Sequence, residues 1–153
     1  MSLTKEKTKW AYIAAAIDMD GCICISRTQL LTSAGNPYYG YDLKVSIGNT
    51  YRGAHEWFVE NFGGEFRAKI KSSSKLSDDP GWEWFVSGGY KKVEQFLLGI
   101  LPYLIIKKEQ AKIALEYIRL NGAVNPAKRA ELHAACISFN SGKSVTTNTS
   151  STE

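Results

Sequence analysis

Apolar and polar positions change rhythm several times along this chain. Trp10, Ile13, Ala14 and Ile17 recur at i, i+3, i+4 and i+7, predicting a helix over about Thr8 to Asp18 behind a polar, frayed start. The rhythm then shortens. Cys22-Ile23-Cys24-Ile25-Ser26 alternates, predicting a strand from Cys22 to about Thr32. Ser33-Ala34-Gly35-Asn36-Pro37 is made of turn residues. The chain returns over Tyr38 to about Asn49, with Leu43, Val45 and Ile47 alternating against Asp42, Lys44, Ser46 and Gly48. A long hairpin with one wet face is expected. Tyr51 to Phe62 is an amphipathic helix carrying Trp57, Phe58 and Phe62, stopped by Gly63-Gly64. Alternation resumes over Glu65 to Ser72, where Phe66, Ala68 and Ile70 oppose Arg67, Lys69 and Lys71. It resumes again over Trp82 to Ser87, with Trp84 and Val86 toward the core and Glu83 and Phe85 on the other face. Three helices follow: Tyr90 to about Leu101, Lys107 to Leu120, and one opened by Asn125-Pro126 that runs to about Phe139.

The order α-β-β-α-β-β-α-α-α predicts an α+β domain in which four antiparallel strands form one sheet with the helices on one face. Residues 1–140 are expected to be a single domain. The Ser/Thr-rich tail over 141–153 shows no periodicity and is expected to be disordered. Apolar residues make up 44% and charged ones 22% of 153, an ordinary soluble balance. No apolar run approaches a membrane span and no signal-peptide core is visible, so an intracellular location without a membrane partner is expected, in the cytoplasm of a prokaryote or in an organelle. Three cysteines, two of them on one strand face, make neither a disulfide framework nor a zinc pattern. The net charge of +4 permits a polyanionic partner without demanding one, so charge placement decides.

The chemistry concentrates in Ile13-Ala14-Ala15-Ala16-Ile17-Asp18-Met19-Asp20-Gly21. Three alanines leave the middle of this helix nearly without side chains, so another backbone can approach it. Asp20 ends the helix, where the macrodipole is already negative, and an anion there needs a cation to answer it. The bland reading is an Asx-type turn between helix and strand. An aspartyl-phosphate nucleophile would sit at the end of a buried strand, and the segment before these aspartates is helical in period. A calcium loop would need an acidic residue where Ala16 stands and a bidentate Glu in register, which is missing.

The stretch resembles the LAGLIDADG motif of homing endonucleases, with Ala15 in place of a glycine and Met19 in place of a small residue. The order of elements and the segment Leu101-Pro102-Tyr103-Leu104-Ile105-Ile106-Lys107-Lys108-Glu109-Gln110-Ala111 extend the resemblance over nearly the whole chain. It implies the LAGLIDADG fold, a saddle-shaped DNA-binding sheet, and a homodimer through the first helix with Ile13, Ala14, Ala15, Ala16 and Ile17 at its interface. It also implies that Asp20, assisted by the Met19 carbonyl, binds Mg2+ (or Mn2+), and that Lys107 reaches the cleavage centre. Counting from Leu43, Tyr51 and His55 stand where the family places a glutamine and a basic residue near the attacking water, and Asn49 is an alternative to the former.

The wet sheet face fits double-stranded DNA as the partner. The expected contact set is Cys24, Ser26, Arg27, Thr28, Asp42, Lys44, Ser46, Arg67, Lys69, Lys71, Glu83 and Phe85, with Lys143 from the tail. At ~3.3 Å per residue the ribbon is roughly 35 Å long, about ten base pairs, and it fits a major groove. The function implied is a site-specific, metal-dependent double-strand break with short 3′ overhangs in a long pseudo-palindromic target, for intron or intein homing. Two alternatives stand beside it: an intron maturase that binds RNA, and a catalytically silent DNA-binding protein on the same scaffold.

Overall fold

The computed structural model describes residues 2–69, 81–120 and 125–141. Its elements are α1 (Leu3–Asp20), β1 (Gly21–Leu31), β2 (Pro37–Asn49), α2 (Arg52–Phe62), β3 (Glu65–Ala68), β4 (Trp82–Phe85), α3 (Tyr90–Ile100), a 3-10 turn over Leu101–Tyr103, α4 (Lys108–Arg119) and α5 (Pro126–Asn140). The strands form one antiparallel sheet in the order β1-β2-β4-β3. This is the expected α+β architecture.

The first helix starts at Leu3, earlier than its apolar period suggests. Ser2 caps it by accepting from the Thr4 N–H at 3.3 Å, and Glu6 pairs with Lys9 at 3.0 Å. The polar start that looks frayed in sequence is helix with most of its surface in water, and such turns carry no apolar rhythm. α1 passes into β1 without a spacer. Gly21 permits this, because a β-carbon there would lie 2.6 Å from the Ile17 Cα and 2.7 Å from its carbonyl oxygen.

All of β1 pairs with β2, from Gly21 against Ile47 to Leu31 against Pro37. Gly35, at φ +81°, supplies the left-handed turn residue between them. β3 and β4 are shorter than the alternation suggests, four residues each, and the expected Ile70 and Lys71 lie outside the described residues. So do Lys143 and nearly all of the expected tail.

The core lies between the sheet and the helices. Ile13 and Ile17 of α1, Ile23, Ile25, Val45 and Ile47 of the hairpin, Trp84 of β4, and Leu97 and Ile100 of α3 are buried. Each such side chain contributes roughly 1.5–3 kcal/mol. The Trp84 indole N–H donates to the Gly63 carbonyl at 2.9 Å, so the one polar atom of that ring is satisfied. This packing corrects the expected dimer interface. Ile13, Ala14 and Ile17 are fully buried in their own chain and have no surface left for a second copy. Ala15 is exposed and Ala16 half-buried. The outward stripe of α1 is instead Ala11, Tyr12, Ala15 and Met19.

Candidate functional site

The last turn of α1 gathers most of the candidate chemistry. Asp20 is exposed there, and the Asn49 amide donates to its Oδ2 at 3.1 Å. The Asn49 Oδ1 in turn accepts from the Tyr51 N–H at 2.9 Å. Asn49 therefore has its orientation fixed by the chain that leads into α2, and it holds the Asp20 carboxylate from the side.

Asp18 does different work. Its buried carboxylate accepts from the backbone N–H groups of Ile105 (2.8 Å), Ile106 (3.2 Å) and Lys107 (2.9 Å). The carboxylate thus sits at the N-terminus of α4, where an anion is favoured. Pro102 in the 3-10 turn and buried Leu104 bring this segment under α1. Lys107 follows as the N-cap residue of α4, and its ammonium donates to the Asp18 carbonyl at 2.6 Å. Asp20 and the Lys107 ammonium, remote in sequence, are both placed at the last turn of α1. The Asx turn expected as the bland reading of Asp18 is absent; its acceptors serve a segment far along the chain.

Two sequence-based assignments change here. His55 is fully buried, stacked on Phe66 with centroids 6.0 Å apart. Its Nε2 donates to the Asn49 carbonyl at 3.2 Å, and its Nδ1 has no partner among the described residues. Burial holds its pKa below the usual histidine value; the Asn49 hydrogen bond works against this and Lys69 adds to it. A neutral core imidazole cannot donate to a solvent water at Asp20. Tyr51 is exposed, but its ring folds back over Gly53 and lines an open groove of about 850 Å3 together with Thr8, Tyr12, Ala54 and Trp57. Its backbone N–H, rather than its phenol, faces the site through Asn49.

The outward sheet face follows from the register. Cys24 lies opposite Lys44, Ser26 opposite Asp42, and Thr28 opposite Gly40, so these share one face. Arg67 lies opposite Glu83, and Glu65 opposite Phe85, on that same face. Lys69 reaches it too, with its ammonium 2.6 Å from where a Gly48 β-carbon would be. Arg27 does not. It pairs with Tyr41 on the opposite, helix-bearing side, and its guanidinium lies 4.5 Å from the Tyr39 ring centre. An odd position on an alternating strand cannot share a face with Ser26 and Thr28. Ser46 is on the expected face but only 4% exposed, flanked in register by Cys22 and Phe85. Cys24 and Phe85 are half-buried.

Glu83 sits in the middle of this face, bonded to Lys44 at 2.7 Å and to Arg67 at 3.5 Å. Burial raises its carboxyl, but Lys44, Lys69 and Arg67 together outweigh that and hold its pKa below the ordinary carboxylate value. The Cys22 thiol is also pulled down, first by its hydrogen bond with Cys24 and then by Lys44 and Lys107. Cations and anions thus interlock on this face, Lys44, Arg67 and Lys69 beside Asp42, Glu65 and Glu83.

Among the described residues no group of three or more His, Cys, Asp or Glu side chains could hold a metal ion. Asp20 with the Met19 carbonyl offers hard oxygen donors of the kind that suit Mg2+ or Mn2+, but only part of a coordination sphere. No helix among the described residues is long and apolar enough to cross a membrane.

No protein-family model matches the sequence, and no curated protein matches it. Solved structures do. The homing endonuclease I-CvuI, in complex with the I-CreI target DNA in the presence of Mg, is similar over 88% of this chain and 83% of that one, with a TM-score of 0.71 and 22% identity. The archaeal intron-encoded homing endonuclease I-Vdi141I, complexed with DNA, is similar over 88% and 85%, with a TM-score of 0.70 and 19% identity. The LAGLIDADG homing endonuclease I-SmaMI bound to cleaved DNA is similar over 88% of this chain but 45% of its own, with a TM-score of 0.63 and 14% identity. At these identities the likeness speaks to architecture, and in architecture the chain has the fold of the LAGLIDADG homing endonucleases.

Proposed function

We propose that this chain is a metal-dependent, site-specific DNA endonuclease that works as a homodimer. The observation that carries the reading is that Asp20 and the Lys107 ammonium are both placed at the last turn of α1, one peptide bond from the strand that opens a polar sheet face carrying Lys44, Arg67 and Lys69. The DNA complexes of its structural neighbours support the same substrate.

Hydrolysis of a phosphodiester requires an attacking water, neutralisation of charge on the phosphate and help for the leaving oxygen. A divalent cation, when bound, supplies polarisation of the water and much of that neutralisation. Asp20 and the Met19 carbonyl are the donors that would hold it, with Asn49 fixing the orientation of the carboxylate. Lys107 stabilises the negative charge that grows on the phosphate, and its ammonium is held on the Asp18 carbonyl until then. Among the described residues no side chain stands as a general base, so ordered water accepts the proton.

One chain contributes one Asp20, and cutting two strands needs two. The exposed Tyr12, Ala15 and Met19 with half-buried Ala11, next to exposed Ile105 and Ile106, support an interface with a second copy. Small residues at its centre let the two helices approach closely. Two ribbons of about ten base pairs each then read a pseudo-palindromic site of about twenty. The product is a double-strand break with short 3′ overhangs, serving intron or intein homing.

The test is incubation of the purified protein with a randomised DNA library and Mg2+ or Mn2+, followed by sequencing of cut ends. Cleavage at one long, roughly symmetric site that Asp20→Asn abolishes supports the reading. Selective DNA binding without cleavage in any divalent ion overturns it in favour of a silent DNA-binding protein. Binding to structured intron RNA with no DNA cleavage overturns it in favour of a maturase.

A further inference from the structure

Glu83 is out of place on a surface meant for a polyanion. It projects from the middle of the sheet face, yet its side chain is only 13% exposed and both carboxylate oxygens are engaged. Lys44 binds one oxygen at 2.7 Å and Arg67 the other at 3.5 Å. Gly48 lies directly opposite Glu83 in the register, and the Lys69 ammonium occupies the space its missing side chain leaves. The Arg67 guanidinium is held on a second side as well, 5.2 Å from the Phe85 ring centre. Three cations are thus arranged around one carboxylate.

Left to themselves, three flexible cations on a DNA-binding face would turn to the nearest phosphates. Such contacts give affinity and position but carry no sequence information. A tethered cation behaves differently. Arg67 turns one nitrogen toward Glu83 at 3.5 Å, lies over the Phe85 ring and keeps its other donors. Lys44 keeps two of its three donors. Side chains held in this way are suited to the paired acceptors O6 and N7 of guanine in the major groove.

Resting on the endonuclease reading above, we propose that Glu83 is a specificity-determining positioning residue. It holds Lys44 and Arg67 side by side on the sheet so that they read guanine edges rather than close on phosphates. Glu83 itself does not touch DNA, since its oxygens are spent on the two cations.

The experiment compares Glu83→Gln with the parent by selection of bound sites from a randomised library, together with affinity measured across a salt series. Gln keeps the shape and removes the charge. The expected result is that guanine preference at the affected base pairs falls roughly tenfold. The salt dependence should steepen by about 0.9 for each cation released to a phosphate. In the double variant Glu83→Gln with Arg67→Ala, no further preference should be lost at the base pair that Arg67→Ala alone relaxes. A merely structural role would lower the thermal midpoint and leave both readouts alone. If Glu83→Gln does not fold, Lys44→Gln breaks the same pair and should flatten guanine preference at its base pair while leaving the salt slope unchanged, whereas a slope shallower by about 0.9 would place Lys44 on a phosphate and overturn the inference. Parent-like preference and slope in the folded variant would overturn the inference, and so would a separate additive loss in the double variant. Failure of the parent to bind any DNA would overturn the functional reading as well, which separates the two.

Discussion

Replacing Asp18 tests whether the first aspartate of the pair serves to position Lys107. Its carboxylate accepts three backbone N–H groups at 2.8, 3.2 and 2.9 Å, two on Oδ2 and one on Oδ1. Asparagine has the same shape but one accepting oxygen. Whichever way the amide turns, its NH2 group faces at least one N–H donor. Hydrogen bonds to a charged acceptor are each worth roughly 1.5–3 kcal/mol, and an orphaned buried donor costs roughly 1–3 kcal/mol. Ile105 and Ile106 are exposed, so water can relieve part of this. Asp18→Asn should therefore destabilise the fold by about 2 kcal/mol, at the low end of what the lost bonds imply. Urea unfolding measures that directly, with an unchanged slope and a lower midpoint. Because the Lys107 ammonium is anchored on the same residue's carbonyl, cleavage per folded molecule should also fall, while DNA affinity holds. Stability within about 0.5 kcal/mol of the parent, together with parent-level cleavage, would refute the reasoning.

Other perturbations give separate outcomes. Asp20→Asn should abolish cleavage in plasmid assays and leave DNA binding equal or tighter, because an anion facing phosphates has gone. Lys107→Ala should slow single-turnover cleavage by roughly 10²–10³, the usual worth of one transition-state contact. Ala15→Leu should leave the unfolding of the monomer almost unchanged, since the position is exposed, but cost about 1–3 kcal/mol of association by overpacking. Sedimentation would then find monomers where the parent is dimeric. His55 has its folded pKa lowered below its unfolded value near 6.5, so the stability it contributes is complete above that pH and is lost as pH falls through it. Unfolding free energy should decline from about pH 6.5 downward with a limiting slope of about 1.4 kcal/mol per pH unit for this proton, and His55→Leu should remove that component. His133, also lowered by burial and by Arg27, adds a slope of the same sign, which His55→Leu leaves in place.

Strands and helices were legible where burial imposed a period. Leu43, Val45 and Ile47 alternate because one side of β2 is core, and all three are buried. The early turns of α1 were not legible, because a helix exposed to water on most sides leaves no apolar rhythm. The interface residues went wrong for a related reason. Ile13 and Ile17 are the large apolar side chains of that helix, and the chain's own sheet takes them, leaving the less conspicuous Ala15 and Met19 outside. Arg27 was misplaced by counting basic residues without holding to strict alternation. Asp18 could not be read at all, since its partners lie 87 to 89 positions away. Asn49 had only its place after the second strand to mark it, and its contact with Asp20 appears only when β2 returns alongside β1.

If the chain is the endonuclease proposed above, the junction between Asp20 and Gly21 fixes a gear ratio between reading and cutting. Helix and strand share a single peptide bond, and Gly21 lies so close to Ile17 that a β-carbon there would clash with its backbone. Inserting one residue before Gly21 would turn the carboxylate by about 100° around the helix axis, or throw every side chain of β1 to the opposite side of the sheet. The hairpin turn over 32–36 has no such constraint. On that reading, evolution or an engineer could rewrite the letters that the ribbon reads, or lengthen its far end, while the offset from those letters to the cut stays locked. Targets of such a protein can drift in sequence far more easily than in the place where they are broken.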